Sequence, residues 1–226
     1  MQKLFSPVLA LLLLLSIGAC RSNKEELVLK GNEYFPLKMG VIRLYQIDSF
    51  LYDNYTGDID TFSKVYREEI KDFYIDNAGD TNYVVNLSYY NIFRVKWEVQ
   101  QSYSRKITGN YALENIYNHT QVKLLFPISK YKTKGSSYIW NLNMFNNDEG
   151  ANVKYTSVFT SFDNGKRAFN DCVSIGLQKP EAGAVNNIYE EVYAKNIGLV
   201  YRHIDRSDFL TLGKRGGYEI FVRLLP

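Results

Sequence analysis

The sequence predicts an all-β protein: an antiparallel meander closed into a barrel or half-barrel, or folded as a two-sheet sandwich. Three observations lead there. Tyrosine and phenylalanine are abundant, 19 and 13 among 226 residues, and prolines number only 5. Aromatic and β-branched side chains suit a pleated, half-buried surface, whereas an alanine-rich chain would favour helix. From Tyr34 onward apolar residues recur with a period of two, the signature of strands with one wet and one dry face. Clusters of Gly, Asn and Asp break up these runs at the spacing of turns.

The first segment stands apart. Lys3 precedes an apolar run from Leu4 to Ile17, 14 residues long, which ends in Ile17-Gly18-Ala19-Cys20. A membrane-spanning helix needs about 20 residues, so the run is a leader rather than a span. A charged start, an apolar middle and small residues before a cleavage point make a secretory signal. The cysteine directly after Gly18-Ala19 makes residues 1–19, a signal helix, resemble a bacterial lipoprotein signal peptide with its lipobox. That resemblance implies cleavage between Ala19 and Cys20 and lipidation of Cys20 by three acyl chains, palmitate among them. Two signals already suffice for stable anchoring.

Residues 20–33 are polar and charged without a sustained period, a flexible tether between lipid and domain. Within it, Lys24-Glu25-Glu26 resembles the export signal that follows the lipidated cysteine in surface-exposed lipoproteins of Bacteroidota. A single antiparallel β domain then runs over 34–226. Strands are predicted where Tyr83, Val85, Leu87 and Tyr89 share one face. In residues 94–99, Arg94, Lys96 and Glu98 form the wet face and Val95, Trp97 and Val99 the dry one. Further along, Phe169, Val173, Ile175 and Leu177 oppose Asn170, Ser174 and Gly176. Near the end Tyr218, Ile220, Val222 and Leu224 oppose Glu219, Phe221 and Arg223. Ser63 to Asp72 is read as strand despite its charge, and Arg206 to Leu212 as one helical turn capped by Ser207 or Asp208. Asp76-Asn77-Ala78-Gly79-Asp80 and Asp163-Asn164-Gly165 are hairpin turns, with further connections at 146–150 and 195–198. Ten or eleven strands follow.

Three phrases resemble a set of Bacteroidota outer-membrane lipoproteins with all-β domains: Tyr34-Phe35-Pro36-Leu37 with Gly40 and Tyr45, Lys123-Leu124-Leu125-Phe126-Pro127, and Tyr193 to Tyr201. Trp140-Asn141-Leu142-Asn143 matches the tryptophan-containing segment that follows the middle phrase only loosely. The resemblance implies fold and an outer-membrane location, on the periplasmic face or the cell surface, and carries no activity with it. Physically the phrases mark architecture: Pro36 and Pro127 lack an N–H and belong at strand starts, bulges or edges, and Gly198 at a tight turn or bulge.

The chemistry of sites is sparse. The charge is close to balanced, 27 cationic against 24 acidic residues, and no basic block suggests nucleic acid. With Cys20 lipidated, Cys172 has no partner for a disulfide and reads as a buried, inert thiol. Metal ligation needs clustered His, Cys or carboxylates; His119 and His203 lie far apart without a ligand motif, and the Asp76 to Asp80 cluster lacks the ligand series of a calcium loop. No cofactor is expected. Glycan hydrolysis would need two carboxylates flanking a bond, for which Asp58, Asp60, Asp148, Glu149, Glu190 and Glu191 are available. Glu190 and Glu191, as strand neighbours, point to opposite faces. Tyr89, Tyr90, Phe93, Trp97 and Tyr103 cluster in sequence and include candidate binding rings. The expectation is a non-enzymatic envelope component, held to the membrane by Cys20, with an envelope protein or glycan as partner. The alternatives are a carboxylate-dependent glycan hydrolase or lyase, and a lipid or lipoprotein carrier with an apolar cavity.

Overall fold

The structure, a computed structural model, describes residues 31–128, 138–146, 151–177, 185–209 and 215–226. The signal helix predicted for 1–19, together with Cys20 and Lys24-Glu25-Glu26, lies outside them. After a short 3-10 turn, Asn32–Tyr34, come twelve strands: β1 (Ile42–Tyr52), β2 (Ile59–Ile75), β3 (Thr81–Asn91), β4 (Lys96–Thr108), β5 (Tyr111–Ile116), β6 (His119–Leu125), β7 (Ile139–Asn141), β8 (Asn152–Asp163), β9 (Ala168–Leu177), β10 (Val185–Ala194), β11 (Gly198–Phe209) and β12 (Arg215–Leu224). They form one antiparallel sheet, β6-β5-β4-β3-β2-β1-β12-β11-β10-β9-β8-β7. Consecutive strands pair except β6 and β7, the two edges, and β1 pairs with β12 through Tyr45↔Leu224 to Tyr52↔Gly217. The meander expected from the turn spacing is therefore present, and it curls into a nearly closed barrel.

The seam between β6 and β7 is closed mostly by side chains. The Val122 N–H donates to the Leu142 carbonyl at 2.8 Å, and the Trp140 indole N–H donates to the Val122 carbonyl at 2.9 Å. The Asn146 amide accepts from the Thr120 N–H at 3.0 Å and donates to its carbonyl at 2.6 Å. The Tyr155 hydroxyl does the same for Leu125, at 3.0 and 2.7 Å. Edge strands expose unpaired backbone groups, and these three side chains satisfy the β6 edge as a neighbouring strand would.

One end of the barrel is plugged by the segment that leads into β1. Tyr34 and Phe35 are buried there, the Asn196 N–H donates to the Glu33 carbonyl at 2.7 Å, and Arg43 Nε donates to the Ile197 carbonyl at 2.7 Å. Gly31, at φ 130°, sits where a Cβ would lie 2.8 Å from Ile128, so only glycine lets the plug approach the wall. Gly198, at φ 93°, opens β11 beside Arg43 and Pro36, the bulge-like position that its sequence context predicts. The plugged end is called proximal below and the opposite end distal.

The expected faces of β3 and β12 are dry only in part: Val85, Val222 and Leu224 are buried, but Tyr218 is exposed, and Asn82 and Ser88 are buried on the other face of β3. Tyr89, Leu87 and Val85 oppose Tyr66, Glu68 and Ile70, and Leu224, Val222, Ile220 and Tyr218 oppose Tyr45, Ile47, Ser49 and Leu51. Ser63 to Asp72 is strand, inside β2.

Three local expectations fail. Residues 94 and 95 belong to a turn and β4 begins only at Lys96; Val95 has φ 52° and, with Val99, is exposed. The 94–99 alternation was a turn followed by a bulge, marked by the register shift between Leu87 and Ser88. Arg206 to Phe209 continue β11 instead of making a helical turn, and the Ser207 hydroxyl donates to Asp205 at 2.6 Å; a capping side chain has bonded within a strand. In β9, Asp171 takes φ 55°, which breaks the alternation. Phe169 consequently joins Cys172, Val192 and Ala194 in a second cluster, apart from Val173 and Ile175.

Candidate functional site

Charged residues at inward positions meet inside the barrel. Glu68 on β2 accepts from Arg43 Nη1 at 3.1 Å and from both terminal nitrogens of Arg105 at 3.0 and 2.9 Å. Arg105 Nε donates to Glu114 at 2.7 Å. The ladder continues from Glu114 to Lys123 at 3.8 Å and Arg202 at 3.6 Å, and both cations converge on Glu191, at 2.7 and 2.6 Å. Hydroxyls complete it: Tyr103 donates to Glu68 and Tyr193 to Glu191, each at 2.6 Å. Six of the seven side chains are almost fully buried, and Arg202 alone is partly exposed.

Burial by itself would raise these carboxyls. At Glu68 the neighbouring Arg105 and Arg43 outweigh it and hold the group down to about 2. At Glu191 Arg202 and Lys123 do the same, again to about 2, and Glu114 is lowered by the cations around it. Lys123 is shifted the other way: burial lowers it despite Glu191. The small space beside Arg43, Arg105, Phe35 and Tyr193 measures about 10 Å³, roughly room for one water.

A second polar cluster lies on the outward face of β11 and β12. His203 is 2.9 Å from Glu219 and stacks on Phe221 at 4.3 Å. A carboxylate oxygen of Asp205 lies within 4.8 Å of the donor atoms of His203 and Glu219. The Arg215 guanidinium already occupies the cation's place, 2.7 Å from Asp205 and 3.6 Å from Glu219, while the Tyr52 hydroxyl donates to Glu219 at 2.8 Å. Burial and Glu219 push Tyr52 up to about 12. Next to this cluster Glu190, outward where Glu191 is inward, is raised by burial, with His203 opposing.

The third arrangement concerns the described turns. Those at the proximal end are polar: Asp76 to Asp80, Gly109-Asn110, Asn164 to Arg167, and Lys195-Asn196. Each described hairpin turn between β1 and β6 at the distal end carries exposed apolar or aromatic side chains: Tyr55, then Ile92, Phe93 and Val95, then Tyr117. The β3–β4 tip is the most apolar, with Phe93 at 92% and Ile92 at 71% exposure. Its shape is fixed by polar groups. Asn91 Oδ1 accepts from the Phe93 and Arg94 N–H groups at 3.0 and 3.1 Å. Glu98 accepts from Tyr89, Asn91 and Arg94 at 3.0, 2.8 and 3.0 Å. A groove of about 530 Å³ runs between this tip and Lys64 and Val65 of β2.

Of the residues singled out from sequence, Ala19, Cys20, Lys24, Glu25, Glu26, Asp148 and Glu149 lie outside the described residues. Asp58 in the β1–β2 turn and Asp60 at the start of β2 are exposed, and Asp76 and Asp80 hold Lys106 at 2.7 and 3.0 Å. Cys172 is buried and its thiol is raised to about 11, chiefly by burial. Of the aromatic cluster, Tyr103 turns inward to Glu68, while Tyr90 and Phe93 are exposed and Trp97 half-buried. The interior ladder was missed entirely, as was the convergence of His203 on Glu219.

No protein-family model matches the chain, and no curated protein matches it in sequence. Among the solved structures that resemble it, two cover most of the chain. One is a candidate lipoprotein from Parabacteroides distasonis ATCC 8503, 11% identical, with 84% of this chain and 96% of that one covered at a TM-score of 0.43. The other is a candidate exported protein with a YmcC-like fold from Bacteroides fragilis NCTC 9343, 12% identical, with coverage of 84% and 95% at a TM-score of 0.41. Likeness at this level assigns no residue a role.

Proposed function

We propose that the chain is an outer-membrane lipoprotein, held by acyl chains on Cys20, whose barrel serves as a binding or assembly component of the cell envelope and not as a catalyst. Lys24-Glu25-Glu26 would direct it to the cell surface. The observation that supports this reading is the state of the interior. Glu68, Glu114 and Glu191 are linked through shared cations, each bonded to arginine or lysine, and general acid catalysis wants a group poised near the working pH. The space beside Arg43 and Arg105 takes about one water, too little for a sugar ring or an acyl chain. Chemistry offered to a partner is instead on the outside, where the distal turns are apolar.

The anchoring half of the reading is tested by Cys20→Ala. The wild-type protein is expected in the membrane fraction, with an intact mass above that of the polypeptide beginning at Cys20 by its acyl chains. The variant is expected to leave the membrane fraction and to lose that added mass. A variant that stays in the membrane with an unchanged mass excess would rule out acylation at Cys20.

A further inference from the structure

We infer that the β3–β4 tip is a lipid-contact finger: Ile92, Phe93 and Val95 enter the apolar boundary of a bilayer while Arg94, Lys96 and Lys64 meet anionic headgroups. The inference goes beyond anchoring and does not depend on Cys20.

The exposure of the tip is built in. Asn91 and Glu98 hold the turn by the hydrogen bonds given above, so the apolar side chains cannot fold back onto the barrel. Val95 has φ 52° and is 72% exposed. A β-branched residue at positive φ is strained, and strain of this kind gathers at binding and switching segments. Behind the tip, Tyr90 and Trp97 stack edge to face at 5.5 Å. Rings with an apolar body and a polar handle are the ones enriched at the membrane–water boundary.

Charge and size separate a lipid surface from a protein partner. Arg94 and Lys96 both reach toward one carboxylate, Glu98, at 3.0 and 3.8 Å, and Lys64 lines the adjoining groove. Two cations on one carboxylate, with Lys64 across the groove, leave the finger positive, which suits phosphate headgroups. A stable protein interface needs roughly 800 Å² per partner, more than a projecting tip of three side chains offers. Partition into a bilayer has no such minimum, since it grows with each apolar side chain buried.

The test uses residues 31–226, which contain both edges of the sheet and the whole described core, without the acylated cysteine. The probes are vesicles of phosphatidylcholine alone and of phosphatidylcholine mixed with phosphatidylglycerol. The expected result is sedimentation with the mixed vesicles, weaker in high salt, with a blue shift of Trp97 emission that a Trp97→Phe variant lacks. Ile92→Ser/Phe93→Ser should weaken binding at least tenfold, and Arg94→Glu/Lys96→Glu should abolish the preference for anionic lipid, both with wild-type circular dichroism. Absence of binding to either vesicle overturns the inference. So does binding that both double variants leave unchanged. Association of the protein with itself in sedimentation velocity, lost in Phe93→Ser and without vesicle binding, would show that the tip meets a second copy and would equally overturn it.

Discussion

Glu68→Leu is expected to lower stability by about 3–5 kcal/mol, because it leaves buried cations without their counter-charge. The carboxylate is the common acceptor for Arg43, Arg105 and the Tyr103 hydroxyl, and both arginine side chains are only 8% exposed. Neither guanidinium can shed its proton, so each would stay charged in a poorly solvated interior. The neighbouring residue supplies the contrast. Glu69 points outward, its side chain 20% exposed beside Arg67 at 3.0 Å, and Glu69→Gln should cost under about 1 kcal/mol. Urea denaturation of the two variants measures the difference as a shift in midpoint at constant slope. Equal losses would mean that water reaches the ladder.

Gly217→Ala is expected to cost about 3 kcal/mol and to lower Tm by roughly 10 °C. Gly217 pairs with Ser207 at φ 98°, and a Cβ there would lie 2.0 Å from the Arg206 carbonyl oxygen and 2.9 Å from the Ser207 Cα. The obstacle is backbone, so no side-chain rotation relieves it; β11 and β12 must part locally. Gly40 also has positive φ, at 78°, with nothing within 4 Å of its Cβ position, and Gly40→Ala should cost about 1 kcal/mol. Thermal unfolding of the two variants separates close approach from backbone conformation alone. A Gly217→Ala protein as stable as Gly40→Ala would show that the strands do not approach so closely.

The strand character of this chain was legible because most runs obey the period of two, and the hairpin turns because Asp76 to Asp80 and Asp163 to Gly165 carry the residues such turns need. What escaped was register. A bulge shifts every later side chain to the other face, and the shifts at Ile70/Asp72, Leu87/Ser88 and Val192/Tyr193 leave no mark in composition. Charge was misleading for a different reason. Arg94, Lys96 and Glu98 belong to the solvent, as charged residues usually do, but Glu68, Arg105, Glu114 and Glu191 obey the same alternation and face inward. Their partners come from distant strands: Lys123 meets Glu191 across 68 residues and Arg105 meets Glu68 across 37. Local pattern cannot pair them. The His203–Glu219 contact was hidden in the same way, by register across β11 and β12.

The interior ladder is the centre of this account, since the proposed function turns on its carboxylates being structural. Both Glu68 and Glu191 lie far below the ordinary glutamate value of 4.5, at about 2. A carboxyl lowered by folding stabilises the native state above its unfolded value, and that stabilisation is lost as pH falls through the folded one, here from about 4.5 toward 2. Carbon NMR of the glutamate side-chain carboxyls, titrated residue by residue, reads this directly. Glu68 and Glu191 should stay ionised until the protein begins to unfold in acid, and Glu114 should titrate below the ordinary value. If any of these three took up its proton between about pH 5 and 8, the range of a working general acid, the carboxylate would be free for catalysis and the account would be contradicted.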